Sequence, residues 1–478
     1  MRMLSHLEQS KTFWVLFIIS FLFFLFRFPS LFEPYWYGDE GIYHVLGDGM
    51  REGRILYKDV WDNKPPLLYL TYAIFNSDQF LIRLASLVTG LATVILFFFL
   101  SQKLFENQKT QYLTTIIFAV LFGLPIIEGN IANSENFMLA PVIAASLLVL
   151  NYKTKNYFSL FVAGFFLSLA FLFKIVAAFD FLAFFIFLVF IHNVKERNFD
   201  IKKVGNFVLG FILPIAAVSL YFFINGAFSD FLRATFSANV SYVGFGNRLI
   251  IPQGLLLLKL AVLFIFTLFV LRRKNDLGKD VAFILIWFGF SLFNAFFSQR
   301  PYTHYLLVLL PSFSLVIGLL FNTKFRNVIV PVFLLSLFFI LTNFGYYGKT
   351  FFYYQNFVSF IMGDKSANLY NKFFDRRTLT DYELASYINI HTGPEDSIFV
   401  WGNNAQLYTL TDKLPPGRYT VAYHITGTRG GLKETKEDLE RVKPKLILVM
   451  PYMRTFPFVL HGYAQKIVID GVVIYERI

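Results

Sequence analysis

The sequence predicts an all-α transmembrane bundle of about 11 helices, followed by a small α/β domain at the C-terminal end. Hydrophobic residues make up 56% of the 478 residues and charged residues only 15%, against roughly 25% charged in an ordinary soluble domain. The mean hydropathy is +0.56, and the 63 Phe residues often occur in runs that suit a lipid neighbour. After Asp375, polar helix-like and strand-like runs alternate instead, which indicates a folded domain outside the bilayer.

The composition excludes several classes of site. The chain has no Cys, so it forms neither disulfides nor thiolate metal sites. Its net charge of +12 is spread over short loops and forms no basic patch of the kind that binds nucleic acid. The stretch from Lys11 to Arg27 lacks the small-residue cleavage site of a signal peptide, so we interpret it as a retained first helix.

Eleven segments are apolar enough to cross a bilayer as helices. A span needs about 20 apolar residues, because lipid offers the backbone no hydrogen-bond partner except the backbone itself. The segments are residues 12–29, 79–102, 111–127, 136–151, 157–173, 176–192, 204–224, 253–271, 280–297, 304–322 and 327–345. The chain is therefore expected to be a multi-pass protein of the cell membrane.

The basic residues of the loops predict the orientation of these helices. If the N terminus is cytoplasmic, the even-numbered connections are cytoplasmic too, and each of them is basic, as the positive-inside rule requires. The residues concerned are Lys103, Lys109, Lys153, Lys155, Lys195, Arg197, Lys202, Lys203, Arg272, Arg273, Lys274, Lys279, Lys324 and Arg326. The first large loop, 30–78, and the tail after Tyr346 then lie on the extracytoplasmic side.

The chain divides into a membrane domain, 1–346, a linker, 347–375, and an α/β domain, 376–478. In the tail, turn signals such as Leu414-Pro415-Pro416-Gly417 separate the periodic runs. The runs that predict helices are Tyr382–His391 and Lys433–Arg441, and those that predict strands are Ser397–Trp401, Lys445–Met450, Gln465–Ile469 and Val472–Tyr475. No phosphate-binding glycine pattern follows a strand here.

The outer loop contains the strongest candidates for chemistry. It carries Asp39-Glu40, then Tyr57, and then Asn63-Lys64-Pro65-Pro66-Leu67. Acidic residues at a membrane edge are costly unless they have a task or a partner. The structural alternative is that Asp39 caps an interfacial helix that begins near Glu40.

The whole arrangement resembles the GT-C membrane glycosyltransferases, in particular glycosyltransferase family 39, which groups protein O-mannosyltransferases with aminoarabinose transferases. Asp39-Glu40, Lys64-Pro65-Pro66-Leu67 and Arg83 look like the family's outer-loop acidic pair, its Lys-Pro-Pro-Leu segment and the Arg of its next helix. Further likenesses are Asn133-Ser134-Glu135-Asn136-Phe137, where several relatives have Asp, the helix from Gly164 to Lys174, and His304-Tyr305-Leu306-Leu307 with Pro311.

The resemblance implies transfer of a hexose or pentose from a polyprenyl-phosphate donor to an extracytoplasmic protein, lipid or polysaccharide, with inversion at the sugar C1. Departure of the phosphate is favoured by fixed cations near it. The basic candidates at the outer membrane edge are Lys64, Arg83, Lys174, Arg300 and His304. Arg233 and Arg248 also fall on the outer side, although loop cations are commonly only solvated.

The acceptor needs a base within hydrogen-bond reach, and the catalytic candidates are Asp39, Glu40 and Glu135. We assign the base to Asp39, because adjacent residues on a helix point about 100° apart and Glu40 would face elsewhere. Glu135 would bind the acceptor or a cation. Tyr57 and Tyr302 are candidate contacts to the acceptor or the sugar.

Each assignment has a structural alternative. Arg83 and Lys174 would also suit snorkelling to the headgroups, His304 an interior hydrogen bond, and Tyr57 and Tyr302 an interfacial aromatic belt. No cluster has zinc-ligand spacing, while a divalent cation, Mg²⁺ or Mn²⁺, shared by acids and phosphate stays open.

Two other functions fit the hydropathy. A transporter or lipid flippase would also place charges in a helical bundle, but such proteins commonly show inverted repeats and broken helices, and the sequence shows no repeat. A non-catalytic homologue would keep the same pattern of spans.

Overall fold

The structure is a computed structural model that describes residues 2–153, 156–191, 200–249, 253–321 and 326–478. Lys155, Lys195, Arg197 and Lys324, which contributed to the predicted orientation, lie outside these ranges. In chain order the helices are α1 Arg2–Arg27, α2 Gly38–Arg51, α3 Pro66–Ile74, α4 Gln79–Leu104, α5 Gln108–Gly123, α6 Ser134–Leu150, α7 Tyr157–Phe173, α8 Ala178–Phe190, α9 Ile201–Ile224, α10 Phe228–Leu232, α11 Ala238–Gly246, α12 Gly254–Arg272, α13 Lys274–Leu277, α14 Lys279–Ala295, α15 Leu310–Leu319, α16 Arg326–Asn343, α17 Thr350–Ile361, α18 Ala367–Lys372, α19 Thr378–His391, α20 Gln406–Leu410, α21 Ala422–Gly427 and α22 Gly431–Val442. The strands are β1 Ile398–Trp401, β2 Leu446–Val449, β3 Tyr463–Ile469 and β4 Val472–Arg477.

Two compact units are formed by interleaved parts of the chain. The helical unit comprises Met1–Ser30, Arg83–Leu220 and Ser237–Thr350. The mixed unit comprises Leu31–Ile82, Tyr221–Phe236 and Phe351–Ile478. The outer loop, placed with the membrane domain by the predicted boundaries, thus groups with the C-terminal tail. The predicted linker, 347–375, contains the helices α17 and α18.

The helices of the helical unit are those of an integral membrane protein. Every predicted span coincides with one of them, namely α1, α4 to α9, α12 and α14 to α16. Within the described residues, five helices are long and apolar enough to cross a bilayer: Lys11–Phe32, Gln79–Leu104, Ile201–Ile224, Gly254–Arg272 and Arg326–Asn343. Side chains such as Val262, Phe264 and Ile265 are more than half exposed, which only lipid makes favourable. The number of crossings and their orientation stay predictions.

Glycine allows two of these helices to touch. At Gly164 of α7 a Cβ atom would overlap the carbonyl oxygen of Phe207 on α9, and at Gly210 of α9 a Cβ atom would overlap the carbonyl oxygen of Phe161. Small residues commonly permit such backbone contact between membrane helices. The glycine of the helix that ends before Lys174 therefore has a packing role.

The predicted small sheet is confirmed in the mixed unit. Its strand order is β1-β2-β4-β3. β1 and β2 run parallel, with Phe399 opposite Ile447, whereas β4 runs antiparallel to both β2 and β3. Trp401, Tyr419 and Ile425 form its core with Phe399 and Ile447. Each strand overlaps a run that was predicted as a strand, although β3 and β4 each extend two residues beyond it, and the helix predictions correspond to α19 and α22.

Candidate active site

Asp39 and Glu40 lie in the first turn of α2, within the mixed unit. Acidic residues are favoured there by the helix dipole. The residue at the N-cap position is Tyr37, so Asp39 does not serve as the cap that was the structural alternative. Its carboxylate instead accepts hydrogen bonds from the Tyr43 hydroxyl at 3.1 Å and the Lys64 ammonium at 3.3 Å. The Asp39 side chain remains 37% exposed, whereas Glu40 is buried, as their different helical directions predict.

Lys64 lies between two carboxylates. Its Nζ atom is 3.3 Å from Asp39 Oδ2 and 4.0 Å from Asp62 Oδ2, and it lies 4.6 Å from the centre of the Tyr43 ring. Pro66 occupies the first position of α3, where its fixed φ suits a helix start. The Lys-Pro-Pro segment therefore holds the ammonium against Asp39.

Asp62 is a site residue that the sequence reasoning missed. Its carboxylate is almost completely buried, accepts a hydrogen bond from the Tyr69 hydroxyl at 2.7 Å and lies 3.4 Å from His424 Nε2. Burial acts to raise the pKa of Asp62, but Lys64, His424 and the Tyr69 hydroxyl more than offset it, so this pKa lies below its usual range. The carboxyl group is therefore ionised at neutral pH.

Tyr57 supports the same loop. Its backbone is left-handed, with φ 69°, and its hydroxyl donates to the carbonyl oxygen of Lys64 at 2.7 Å. The ring is completely buried, with Phe222 and Phe231 at centroid distances of 5.2 and 5.7 Å. This burial favours a positioning role over the predicted contact with a sugar.

A second charged cluster occupies the helical unit. Glu135, in the first turn of α6, is buried and forms an ion pair with Lys174, the residue that follows α7. His304 lies beside it, with Nε2 3.8 Å from Glu135 Oε1 and Nδ1 2.8 Å from Glu128 Oε2. Lys174 also lies 4.4 Å from the centre of the Tyr305 ring. Three predicted site residues thus meet, together with Glu128, which belonged to none of the recognised motifs.

The remaining predicted residues are more dispersed. Arg83 is completely buried and donates to the carbonyl oxygen of Ser30 at 3.1 Å, so it neither snorkels to the headgroups nor presents an open face to a phosphate.

Tyr302 is about half exposed, and its ring is stacked near that of His304, with the ring centroids 5.7 Å apart. Arg300 is partly buried, between α14 and the short turn that holds His304. Arg233 and Arg248 are exposed, which fits solvated loop cations.

No group of three or more His, Asp or Glu within the described ranges could hold a metal ion.

Residues 64–222 match the family model described as dolichyl-phosphate-mannose-protein mannosyltransferase. This match includes Lys64, Arg83, Glu135 and Lys174, and it supports the predicted resemblance. A search of curated proteins finds no match in sequence.

The fold is similar to those of solved membrane transferases. ArnT from Cupriavidus metallidurans, solved with undecaprenyl phosphate, aligns with a TM-score of 0.55 and 12% identity over 96% of each chain. The oligosaccharyltransferase AglB from Archaeoglobus fulgidus, solved with an inhibitory peptide and a dolichol-phosphate, aligns with a TM-score of 0.47 and 13% identity, over 92% of this chain and 69% of its own. The ArnT alignment and the family match together confirm the expected GT-C fold.

Proposed function

We propose that this GT-C chain is a glycosyltransferase that moves a sugar from a polyprenyl-phosphate donor to an extracytoplasmic acceptor, with Asp39 as the general base. The observation that carries the proposal is the partly exposed Asp39 carboxylate, fixed by Lys64 and Tyr43 and backed by the buried Asp62. A base must be accessible and oriented at the same time, and Asp39 meets both conditions.

In the proposed reaction, an acceptor hydroxyl or amine attacks C1 of the sugar from the face opposite the phosphate. A new bond forms between the acceptor atom and C1, and the bond from C1 to the phosphate oxygen breaks, with its electron pair leaving on the phosphate. Asp39 takes the proton of the acceptor. The configuration at C1 is inverted, and the acceptor is a protein, a lipid or a polysaccharide.

Cationic side chains stabilise the departing phosphate in this proposal. Lys64 is the candidate beside Asp39 in the mixed unit. Within the helical unit, the Lys174 ammonium and the His304 ring form a separate cluster, in which Glu135 contacts both. Because Glu135 is buried, it orients Lys174 and His304 and does not itself bind the acceptor. The solved ArnT, which carries undecaprenyl phosphate, supports a lipid phosphate as the donor group.

Lys64 has two roles in this proposal. Its hydrogen bond to Asp39 orients the base. The ammonium can also turn towards a phosphate, because the Asp62 carboxylate keeps the Lys64 side chain close to Asp39. Lys64→Ala should therefore weaken use of the donor more than use of the acceptor. A selective rise in the acceptor KM would contradict the assignment to the phosphate.

The test of the proposed function is transfer in liposomes from a radiolabelled polyprenyl-phosphate sugar, with Asp39→Asn beside the unchanged chain. Asn keeps the size of the side chain but cannot take the proton, so transfer should be lost while donor binding is retained. Glu52→Gln, an exposed acid after the same helix, is the matched control. Equal turnover with Asp and Asn at position 39 would remove this residue from the mechanism.

A further inference from the structure

A residue of the C-terminal tail contacts the charged residues of the outer loop. His424, in α21, places Nε2 3.4 Å from Asp62 Oδ1. Asp62 lies 4.0 Å from the Lys64 ammonium, which is 3.3 Å from Asp39. All four residues belong to the mixed unit. A continuous row of alternating polar groups therefore runs from His424 to the proposed base.

The loop that carries Asp62 is also built onto the tail by its backbone. Trp61 N donates to the carbonyl oxygen of Arg418 at 2.9 Å, and Trp61 forms an isolated parallel bridge with Tyr419. The Trp61 ring lies edge-on to the His424 ring, with centroids 4.8 Å apart. These contacts hold His424 and Asp62 in a fixed relation.

The hydrogen bonding of His424 indicates which nitrogen carries the proton. His424 is buried, and its Nδ1 has no hydrogen-bond partner among the described residues. A buried N–H without an acceptor is more costly than an unpaired lone pair beside apolar atoms. The proton therefore resides on Nε2, from which the ring donates towards Asp62.

This donor affects how Lys64 is shared. A buried carboxylate needs several donors to remain ionised. Asp62 accepts hydrogen bonds from the Asn63 backbone N–H at 2.7 Å and from the Tyr69 hydroxyl, and it has His424 and the nearby ammonium as further partners. If the His424 donor is lost, the ammonium is the mobile group that can replace it. Lys64 would then move towards Asp62 and away from Asp39.

We propose that His424 is a positioning residue for the transfer reaction, acting through Asp62 to keep Lys64 on Asp39. This inference rests on the proposed function. It assigns the C-terminal α/β region a direct part in ordering the base, in addition to any contact with a substrate.

The test compares His424→Phe with His424→Gln in the liposome transfer assay. Phe keeps a ring against Trp61 but has no donor, whereas the Gln amide donates from about the position of Nε2. Misplacing a catalytic group by about 1 Å costs up to roughly a hundredfold, so kcat should fall about tenfold or more in the Phe variant. The acceptor KM should change by less than about twofold, and Gln should restore most of kcat.

A double-variant cycle tests whether the effect passes through Asp62. In the Asp62→Asn background, His424→Phe should cause no further fall, because residues that act through one another are not additive. The control is His461→Phe, an exposed residue of the same region. The Phe and Gln variants of His424 decide the question even if Asp62→Asn does not fold.

Three results would overturn the inference alone while transfer still depends on Asp39: normal kcat in both His424 variants, equal losses in both, or losses that multiply in the Asp62→Asn background. Absence of Asp39-dependent transfer in the unchanged chain would overturn the proposed function and this inference with it.

Discussion

Gly41 of α2 is the position where a single methyl group should disturb the proposed base. A Cβ atom there would lie 2.8 Å from the backbone nitrogen of Gln406 and 3.3 Å from its Cα atom. Since carbon contacts are favourable near 3.5 Å, α2 and α20 would have to separate by about 0.7 Å. Asp39 lies in the same turn and would move with the backbone.

The size of the effect follows from two opposing contributions. Overpacking commonly costs about 1–3 kcal/mol, and replacing Gly by Ala inside a helix returns up to about 1 kcal/mol. Gly41→Ala should therefore lower the free energy of unfolding by about 1–2 kcal/mol. Displacement of Asp39 by several tenths of an ångström should lower kcat by roughly tenfold, since about 1 Å costs about a hundredfold.

Gly38→Ala provides the matched control, because no atom would lie within 4 Å of its Cβ. Both variants would be compared by thermal unfolding in detergent and by transfer from the radiolabelled donor in liposomes. Gly38→Ala should retain the rate and the unfolding temperature of the unchanged chain. Equal behaviour of the two variants would refute the link between the packing of α2 on α20 and the position of Asp39.

Three other perturbations test separate contacts. Glu135→Gln should destabilise the helical unit by about 3 kcal/mol because it removes one partner of a buried ion pair, and Glu135→Gln with Lys174→Met should recover part of that loss in thermal unfolding; no recovery would argue against the pair. Tyr57→Phe should lower stability by about 1 kcal/mol, because it removes the hydrogen bond to Lys64, and it should also lower kcat. A selective rise in the acceptor KM would instead support the predicted contact of Tyr57 with the acceptor or the sugar. Burial raises the pKa of Asp381 to about 6, so in this pH range the folded chain holds a proton that the unfolded chain has lost. Stability should therefore fall as pH rises from about 4 to about 6. If stability depended on pH with the same slope in Asp381→Asn, the dependence would come from other groups.

Much of the fold follows from the sequence because its signals are local. Every predicted span contains a helix, since a long apolar run in lipid satisfies its backbone hydrogen bonds within itself when it is helical. The strands of the tail were predicted because short strand-like runs alternate with helix-like runs and are separated by turn signals. The grouping of the outer loop with the tail was not predicted, because hydropathy assigns segments to a solvent but does not say which segments pack together.

The sequence likewise predicted some residues of the candidate site and missed others. Asp39 and Lys64 were predicted as functional residues and are in contact, although the sequence separates them by a helix and a turn. Asp62 carried a weak signal, as an acidic residue two positions before Lys64. His424 carried none, because its contact with Asp62 depends on the fold of the tail. Arg83 was predicted from its position at the membrane edge and from the family resemblance, and neither reveals that its guanidinium is turned inward to the carbonyl oxygen of Ser30.

The interleaved build of the mixed unit bears on how the protein is made. Asp62 leaves the ribosome more than three hundred residues before His424, a delay of roughly 20–70 s at about 5–20 residues per second. During that interval the loop has its acidic residues but lacks the strand bridge and the histidine that order them. A nascent chain would thus complete the set of contacts around Asp62 only after residue 424 has been synthesised, so the order of the outer loop depends on a segment made long after it.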